Sequence, residues 1–163
     1  MRNHLLLLVF FTFQGIAKPM EFTLSPIIQG SINQNGTPIG GLKVERTIVH
    51  NGVKTDAVVT DENGDFSFSP VLLPPDHKQH SLQDIRVKLD VSTIFDGNEV
   101  TIWQSKLHTY QVSEPIIKSL QNLNCNLVEP LKVFSYPESK NEPVTNEVYS
   151  ICSQSELKFE ELY

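Results

Sequence analysis

The sequence predicts a mainly β fold, an antiparallel β-sandwich with one short helix near residues 114–123. Two observations predict the sandwich. Asn-Gly turn signals at positions 35–36 and 63–64 each lie between runs of β-forming residues, which is the pattern of β-hairpins. Residues 85–94 then alternate apolar and polar side chains, as expected for a strand with one buried face.

The other strands follow from the same signals of alternation and turn residues. In chain order, the predicted strands are 27–32, 42–49, 53–60, 65–69, 85–94, 99–107, 127–136 and 147–152. The alternation in the second strand slips near Arg46, which predicts a β-bulge there. Pro130 interrupts the strand 127–136 and predicts that it lies at a sheet edge. A polar, proline-marked loop is expected over residues 70–83.

The single predicted helix begins after Ser113. A serine can cap a helix, and Pro115 suits the first helical turn. Apolar residues then follow at helical spacing; they are Ile116, Ile117, Leu120 and Leu123. The helix is expected to end at Asn124 and Cys125, packed over a sheet edge.

Residues 1–17 have the pattern of a secretory signal peptide. Arg2 gives a positive start, the nine residues of 5–13 are almost all apolar, and Ala17 suits a cleavage site. A buried N-terminal helix and a membrane anchor are the alternatives, but crossing a bilayer takes about 20 apolar residues. Removing 17 of the 163 residues leaves 146, so residues 18–163 are predicted to form one periplasmic or secreted domain.

The chain is acidic, with 19 Asp and Glu against 13 Lys and Arg and a formal net charge of −6. This charge gives no Coulomb attraction to nucleic acid or to an anionic membrane. Nucleic acid is therefore not predicted as a partner, whereas a basic protein partner fits. Stable membrane insertion is not predicted either, because no apolar stretch after the first 17 residues is long enough to cross a bilayer. The simpler interpretation is that like charge keeps a soluble protein dispersed.

The two cysteines, Cys125 and Cys152, predict a disulfide if the chain is exported. Two buried free thiols are the alternative. Neither cysteine has a His or Cys neighbour at metal-ligand spacing, so a zinc site is not expected.

Residues 30–68 carry a pattern that resembles the carboxypeptidase regulatory-like domains. The pattern is a Gly-x-Pro turn and strand followed by Thr-Asp-x-x-Gly-x-Phe-x-Phe; its positions here are Gly36, Pro38, Ile39, Gly41, Val44, Thr60, Asp61, Gly64, Phe66 and Phe68. The resemblance implies a Greek-key sandwich of the transthyretin (prealbumin) type, with a core over about 26–112 and a C-terminal extension over 113–163. It implies roles in adhesion, assembly or adaptor functions, not one reaction.

After Phe68 the chain departs from that pattern and is similar instead to a bacterial family of small exported proteins of unknown function. The strand with Trp103, residues 123–127 and the late Cys152 carry this second resemblance. Because such proteins are sometimes encoded beside toxin-delivery systems, the resemblance implies an immunity or inhibitor role.

Two segments contain residue types that bind metals. Asp76, His77, His80 and Asp84 lie close together and could bind a divalent ion if they shared a helical face. Pro74 and Pro75 precede them, so a solvated loop is expected, and this loop is the candidate partner-binding segment. Asp61, Asn63 and Asp65 resemble a calcium loop but lack its glycine and glutamate positions, which favours a hairpin turn.

The sequence predicts an exported binding protein that is not an enzyme and needs no cofactor. No Gly-x-Ser-x-Gly nucleophile motif is present. A protein-binding module of the immunity or inhibitor type is the first hypothesis. A carbohydrate-binding or adhesion module is the second, with Trp103 and Tyr110 as candidates for stacking on sugars, although Trp103 also fits a core position. A metal-dependent enzyme that uses the 74–84 loop is the third.

Overall fold

The computed structural model describes residues 23–73, 86–108, 112–137, 145–155 and 157–160. Fourteen strands and one helix form in this part of the chain. In chain order they are β1 (Thr23–Ser25), β2 (Ile28–Gln34), β3 (Thr37–Pro38), β4 (Lys43–Val49), β5 (Val53–Val59), β6 (Asp65–Phe68), β7 (Val71–Leu72), β8 (Val87–Phe95), β9 (Asn98–Leu107), α1 (Glu114–Leu120), β10 (Leu123–Asn126), β11 (Lys132–Pro137), β12 (Thr145–Ser150), β13 (Cys152–Ser153) and β14 (Lys158–Glu160). The predicted signal segment, residues 1–17, lies outside the described residues.

The strands form two main sheets. The larger sheet is antiparallel and has seven strands in the order β14-β11-β12-β9-β8-β4-β5. In the smaller, five-stranded sheet, β2 pairs antiparallel with β3 and β6 and parallel with β10, and β13 pairs with β10. A two-stranded ribbon of β1 and β7 accompanies them. The prediction of a mainly β, sandwich-like fold is confirmed.

The hairpin of β8 and β9 shows why these residues form strands. The apolar side chains of Val87, Leu89 and Val91 are buried, and the polar residues between them are more exposed. Asp96 and Gly97 connect the two strands with positive φ angles of 49° and 78°. A two-residue turn with both φ angles positive matches the twist of paired strands. Local sequence is therefore sufficient to specify this hairpin.

The core lies between the sheets and takes side chains from both of them. Ile28, Ile32 and Phe68 come from the smaller sheet, and Val91 and Trp103 come from the larger one. The helix contributes two further buried side chains, Ile116 and Leu120. The residues after 112 are thus part of the same core as the residues before them.

The predicted bulge near Arg46 is wrong. β4 pairs residue by residue with β5 and β8 through this position, and the burial of alternate residues continues unbroken from Val44 to Ile48. Arg46 is only 1% exposed and occupies an inward position. The irregularity in this sheet lies between β8 and β9, at Val91 and Ser92.

The predicted strand 127–136 divides into a turn and a strand. Residues 127–131, including Pro130, connect β10 to β11, which begins at Lys132. β11 pairs with β12 on one side and β14 on the other, so the prediction of an edge strand is wrong. The short β14 was not predicted, because its three residues lie in a segment without regular alternation.

The helix is shorter than predicted. It covers Glu114–Leu120, with Pro115 in its first turn as expected. Ser113 has the extended backbone of a cap residue, but its hydroxyl makes no capping hydrogen bond, so the predicted side-chain cap is wrong. Leu123 belongs to β10, where pairing with β2 replaces the last predicted helical turn.

The beginning of the predicted 70–83 loop contains a strand. Val71 and Leu72 form β7, which pairs with β1. The side chain of Val71 joins the core, which explains why an apolar pair follows Pro70. The rest of the predicted loop, residues 74–83, lies outside the described residues.

Candidate functional site

An open groove with a volume of about 770 Å³ crosses the smaller sheet where β2 pairs with β6 and the chain enters β10. Its polar lining residues are Gln29, Ser31, Asp61, Asp65, Ser67, Gln121 and Asn122. Its other lining residues are Gly30, Val58, Val59, Phe66 and Leu123. We refer to these twelve residues as the polar groove.

Strand alternation places the polar side chains of β2 and β6 together. Gln29 lies directly opposite Ser67, and Ser31 lies directly opposite Asp65. Residues of the opposite parity on these two strands, Ile28, Phe66 and Phe68, are buried in the core. Because side chains alternate between the two faces of a strand, the four polar residues share the face away from the core. The groove therefore combines this outer surface of the smaller sheet with the end of β5 in the larger sheet, and it bears amide, hydroxyl and carboxylate groups.

A close approach of two strands forms one part of the polar groove. A Cβ atom at Gly30 would lie 2.2 Å from the carbonyl oxygen of Leu123 and 2.5 Å from its Cβ atom. Only glycine allows β2 and the parallel strand β10 to come this close. The same contact brings Gln121 and Asn122, which precede β10, beside the polar residues of β2.

The turn between β5 and β6 fixes the acidic rim of the groove. One carboxylate oxygen of Asp61, Oδ1, accepts hydrogen bonds from the backbone N–H groups of Asn63 and Asp65, both at 2.9 Å. The N–H of Gly64 donates to the carbonyl oxygen of Asp61 at 3.0 Å. Asp61 and Asp65 are the charged residues among those that line the groove, so its own charge is negative.

These contacts confirm a turn at residues 61–65, but the prediction of a hairpin there is wrong, because β5 pairs with β4 in the larger sheet and β6 pairs with β2 in the smaller one. The Asp61 carboxylate bonds to backbone N–H groups, as the side chain of a turn residue does. Among the described residues, no cluster of three or more His, Cys, Asp or Glu side chains is arranged to hold a metal ion.

An asparagine network holds β10 against β2 beyond the groove. Asn33 Nδ2 donates to Asn124 Oδ1 and to the carbonyl oxygen of Cys125, both at 3.2 Å. Asn126 Oδ1 accepts a hydrogen bond from the backbone N–H of Asn35 at 3.0 Å. These side-chain bonds reinforce the parallel pairing that positions one wall of the groove.

The predicted disulfide between Cys125 and Cys152 is present. The two residues are direct partners in the antiparallel pair of β10 and β13, with their Cα atoms 4.0 Å apart. Both are fully buried. The chain passes from β12 in the larger sheet to β13 in the smaller sheet at Ile151, so the disulfide lies beside this crossing.

Apart from the two cysteines, Trp103 is the one site residue predicted from the sequence that lies in the described part of the chain. Trp103 is fully buried in the core, and its indole Nε1 donates to Ser105 Oγ at 3.1 Å. Its ring has no face available to a sugar, so the stacking role does not fit it and the core interpretation does. The other predicted stacking residue, Tyr110, lies outside the described residues, as do Asp76, His77, His80 and Asp84.

Sequence reasoning missed the polar groove. Alternation would have placed Gln29 and Ser31 on the outer face of β2, but outward polar residues are ordinary on any strand. No pattern in the local sequence marked Gln121 and Asn122 as groove residues, because they reach the groove only through the parallel pairing of β10 with β2.

The fold, the core and the disulfide define a disulfide-bonded β-sandwich domain. The chain belongs to the family described as a domain of unknown function, DUF6795, whose family model matches residues 28–130. The match covers the strands from β2 to β10 and ends before β11. Neither the curated proteins nor the solved structures yielded a match to this chain.

Within the described part of the chain, no helix combines the length and the apolar character needed to cross a bilayer.

Proposed function

We propose that this protein is an exported, non-enzymatic binding protein that holds another protein in its polar groove. The role is of the immunity or inhibitor type, in which one small domain covers a surface of its partner. The observation that carries the proposal is the groove itself, an open surface of about 770 Å³ with amide, hydroxyl and carboxylate groups along it.

The chemistry of the groove favours a partner that is polar and basic. Amide and hydroxyl side chains such as Gln29 and Ser67 both donate and accept hydrogen bonds. Asp61 and Asp65 add two negative charges, and the whole chain carries a formal net charge of −6. Opposite charges across an interface accelerate association and select against acidic competitors. A Lys- or Arg-bearing surface is therefore the partner that this groove would attract.

Two observations support export. The Cys125–Cys152 disulfide is of the kind that persists in oxidising compartments such as the bacterial periplasm. Residues 1–17 have the charge and hydropathy pattern of a secretory signal peptide.

The resemblance to carboxypeptidase regulatory-like domains supports binding rather than catalysis. Two glycines of the matching pattern lie in turns of this sandwich. Gly36 has a φ of 83° in the β2–β3 connection, and Gly64 has a φ of 78° in the β5–β6 connection. Domains of that kind serve adhesion, assembly and adaptor roles, which agrees with a groove that bears polar contact groups.

Co-purification with groove variants tests the proposal. Ser67→Arg places a long cationic side chain in the groove at an exposed position, and Thr55→Arg makes a comparable change at an exposed position on β5. We expect one protein of the exported fraction to bind the wild type and the Thr55→Arg variant but not Ser67→Arg. With the purified partner, calorimetry should show at least about tenfold weaker binding to Ser67→Arg. Equal binding to all three proteins would contradict the groove as the site.

A carbohydrate ligand is the second candidate, because amide side chains are also suited to sugar hydroxyls. Gln29, Gln121 and Asn122 supply three amides to the groove. A glycan array probed with the wild type and Ser67→Arg tests this candidate: signal that depends on the groove supports a sugar ligand, and silence across the array removes it.

A further inference from the structure

A second opening lies in the larger sheet, where two neighbouring strands separate. β9 and β12 pair at three positions, which match Trp103, Gln104 and Ser105 with Ser150, Tyr149 and Val148. Beyond Ser105 and Val148 this pairing stops, although β9 continues to Leu107 and β12 begins at Thr145. The gap forms a cleft of about 350 Å³, lined by Gln104, Ser105, Lys106, His108, Asn146, Glu147 and Tyr149. We call it the strand cleft.

The separated strands keep their pairing on their outer sides only. Lys106 pairs with Lys88 on β8, and Glu147 pairs with Ser135 on β11. Among the described residues, no backbone hydrogen bond joins 106–108 with 145–147 across the cleft. Backbone groups that face such a gap can hydrogen-bond to an added extended chain.

A buried amide at this cleft lacks a hydrogen-bond partner. Asn146 lines the cleft, is only 6% exposed, and its Nδ2 group bonds to no other described residue. Buried amide donors are almost always satisfied, and an unsatisfied one costs free energy. A bound group that accepts a hydrogen bond would satisfy it.

The lining of the cleft includes one cation and one anion, Lys106 and Glu147, and Lys106 is the one without an ion pair or side-chain hydrogen bond to another described residue. Lys88 and Lys106 are directly opposite each other on β8 and β9, an arrangement in which like charges repel. Lys88 is paired with Asp90 at 3.3 Å, whereas Lys106 forms no ion pair with any described residue. On the other wall, Glu147 accepts a hydrogen bond from the Tyr149 hydroxyl at 2.7 Å. This contact raises the pKa of Tyr149, so its phenol stays protonated.

We propose that the strand cleft binds a carboxylate group, which receives hydrogen bonds from Lys106, His108 and the Nδ2 amide of Asn146. The carboxylate can come from the C-terminus of a peptide or from a free organic acid. The terminal residues of a peptide also offer backbone N–H groups, for which Glu147 and the unpaired strand edges are acceptors. The site is separate from the polar groove and does not depend on the function proposed for it.

Nuclear magnetic resonance titration of the whole protein tests the site. The probes are trialanine, trialanine amide and acetate, and the signals are the side-chain NH₂ resonances of Asn146. We expect trialanine to shift these resonances and to bind about tenfold more tightly than trialanine amide, since one charge-assisted hydrogen bond contributes about that factor. The exposed variant Lys106→Gln should lose this binding, and the exposed control Lys118→Gln on α1 should retain it.

The outcomes separate the two ligand sources. If trialanine binds tightly and acetate does not, the ligand is a peptide C-terminus. If acetate binds as tightly as trialanine, and Lys106→Gln loses both, the ligand is a free carboxylate. Either result supports the site. A ligand concentration of about 10 mM detects even millimolar affinity. If no carboxylate at that concentration shifts the Asn146 resonances, the proposal is overturned. Equal binding to Lys106→Gln and Lys118→Gln would also overturn it. Because Lys106 is exposed, the Lys106→Gln variant should fold as the wild type does, so a loss of binding reports on the site.

Discussion

Arg46 and Asp56 are direct cross-strand partners on β4 and the edge strand β5, and they form a bidentate ion pair on the core-facing side of the sheet. Arg46 Nε donates to Asp56 Oδ1 at 2.9 Å, and Nη2 donates to Oδ2 at 2.5 Å. The remaining nitrogen, Nη1, donates to Ser25 Oγ and to the carbonyl oxygen of Ser69. The guanidinium also lies 4.8 Å from the ring centroid of Phe68. One buried cation thus joins the larger sheet to the chain around β1 and β7.

Replacing Asp56 should destabilise the protein. In Asp56→Asn, the buried Arg46 keeps its charge but loses its anionic partner, and breaking a buried pair in this way costs about 3–5 kcal/mol. The side chain of Asp56 is 42% exposed, so solvent screening should reduce the loss to about 2 kcal/mol. Urea denaturation measures it. The double variant Arg46→Met/Asp56→Asn should recover much of the loss, because it removes the buried charge; a double variant less stable than Asp56→Asn would contradict this account.

The same pair predicts a loss of stability in acid. The hydrogen bond from Arg46, together with the guanidinium charge, holds the pKa of Asp56 below its ordinary value of 3.8. A carboxyl whose pKa is lower in the folded state stabilises the fold above the unfolded-state pKa. This stabilisation should disappear as the pH falls below about 3.8 towards the lower folded-state pKa. Thermal unfolding between neutral pH and acid should therefore show a steeper decline for the wild type than for Asp56→Asn; parallel declines would contradict it.

Removing the disulfide should cost more than any surface change. Cys125 and Cys152 are 27 residues apart, and closing a loop of this length stabilises a protein by about 3–4 kcal/mol in the chain-entropy model. The double variant Cys125→Ser/Cys152→Ser should show this loss in urea denaturation. Adding a reductant should destabilise the wild type by a similar amount and leave the double variant unchanged. An effect of reductant on the double variant would indicate another cause.

Gly30→Ala should destabilise the smaller sheet. The added Cβ would meet the backbone of Leu123 at 2.2 Å, and backbone cannot move aside as a flexible side chain can. We expect β2 and β10 to separate locally, with a loss of about 2 kcal/mol or more. Gly97→Ala is the control, because its Cβ would meet no atom within 4 Å and only its φ of 78° opposes the change. Equal losses for the two variants would exclude the close approach as the cause.

Binding at the polar groove should depend on salt. If the acidic rim attracts a basic partner, raising NaCl from about 50 mM to about 300 mM should weaken binding, because the screening length shortens. Asp65→Asn removes one charge and should reduce the slope of affinity against salt. Glu99→Gln, an equal charge change at an exposed position on β9, should leave the slope unchanged. Calorimetry with the purified partner measures all three slopes.

Local sequence patterns predicted the β8–β9 hairpin well, but they did not show that the turn at residues 61–65 connects the two sheets. The β8–β9 hairpin needs only alternation and the turn at Asp96 and Gly97. Arg46 was misread because an inward Arg looks like a break in alternation, and its compensation lies on another strand, at Asp56. A pattern within one strand contains no information about such a partner.

The groove was beyond sequence reasoning for a related reason. β10 has four residues and begins two residues after the end of α1, so it carries too short a pattern to be recognised. Its position is determined by contacts with β2, such as Asn33 with Asn124, 91 residues later in the chain. The residues that β10 brings to the groove, Gln121 and Asn122, become recognisable only once this distant pairing is known.

The parallel pairing of β2 and β10 also sets an order of events for folding. β2 is made early, but its partner on that side is not available until Asn126 has been synthesised. Until then, one edge of β2 is open to pairing with other chains, and such long-range closure is slow. A fragment that stops before Leu123, about three-quarters of the chain, would retain this open edge and would be prone to pair with other copies of itself.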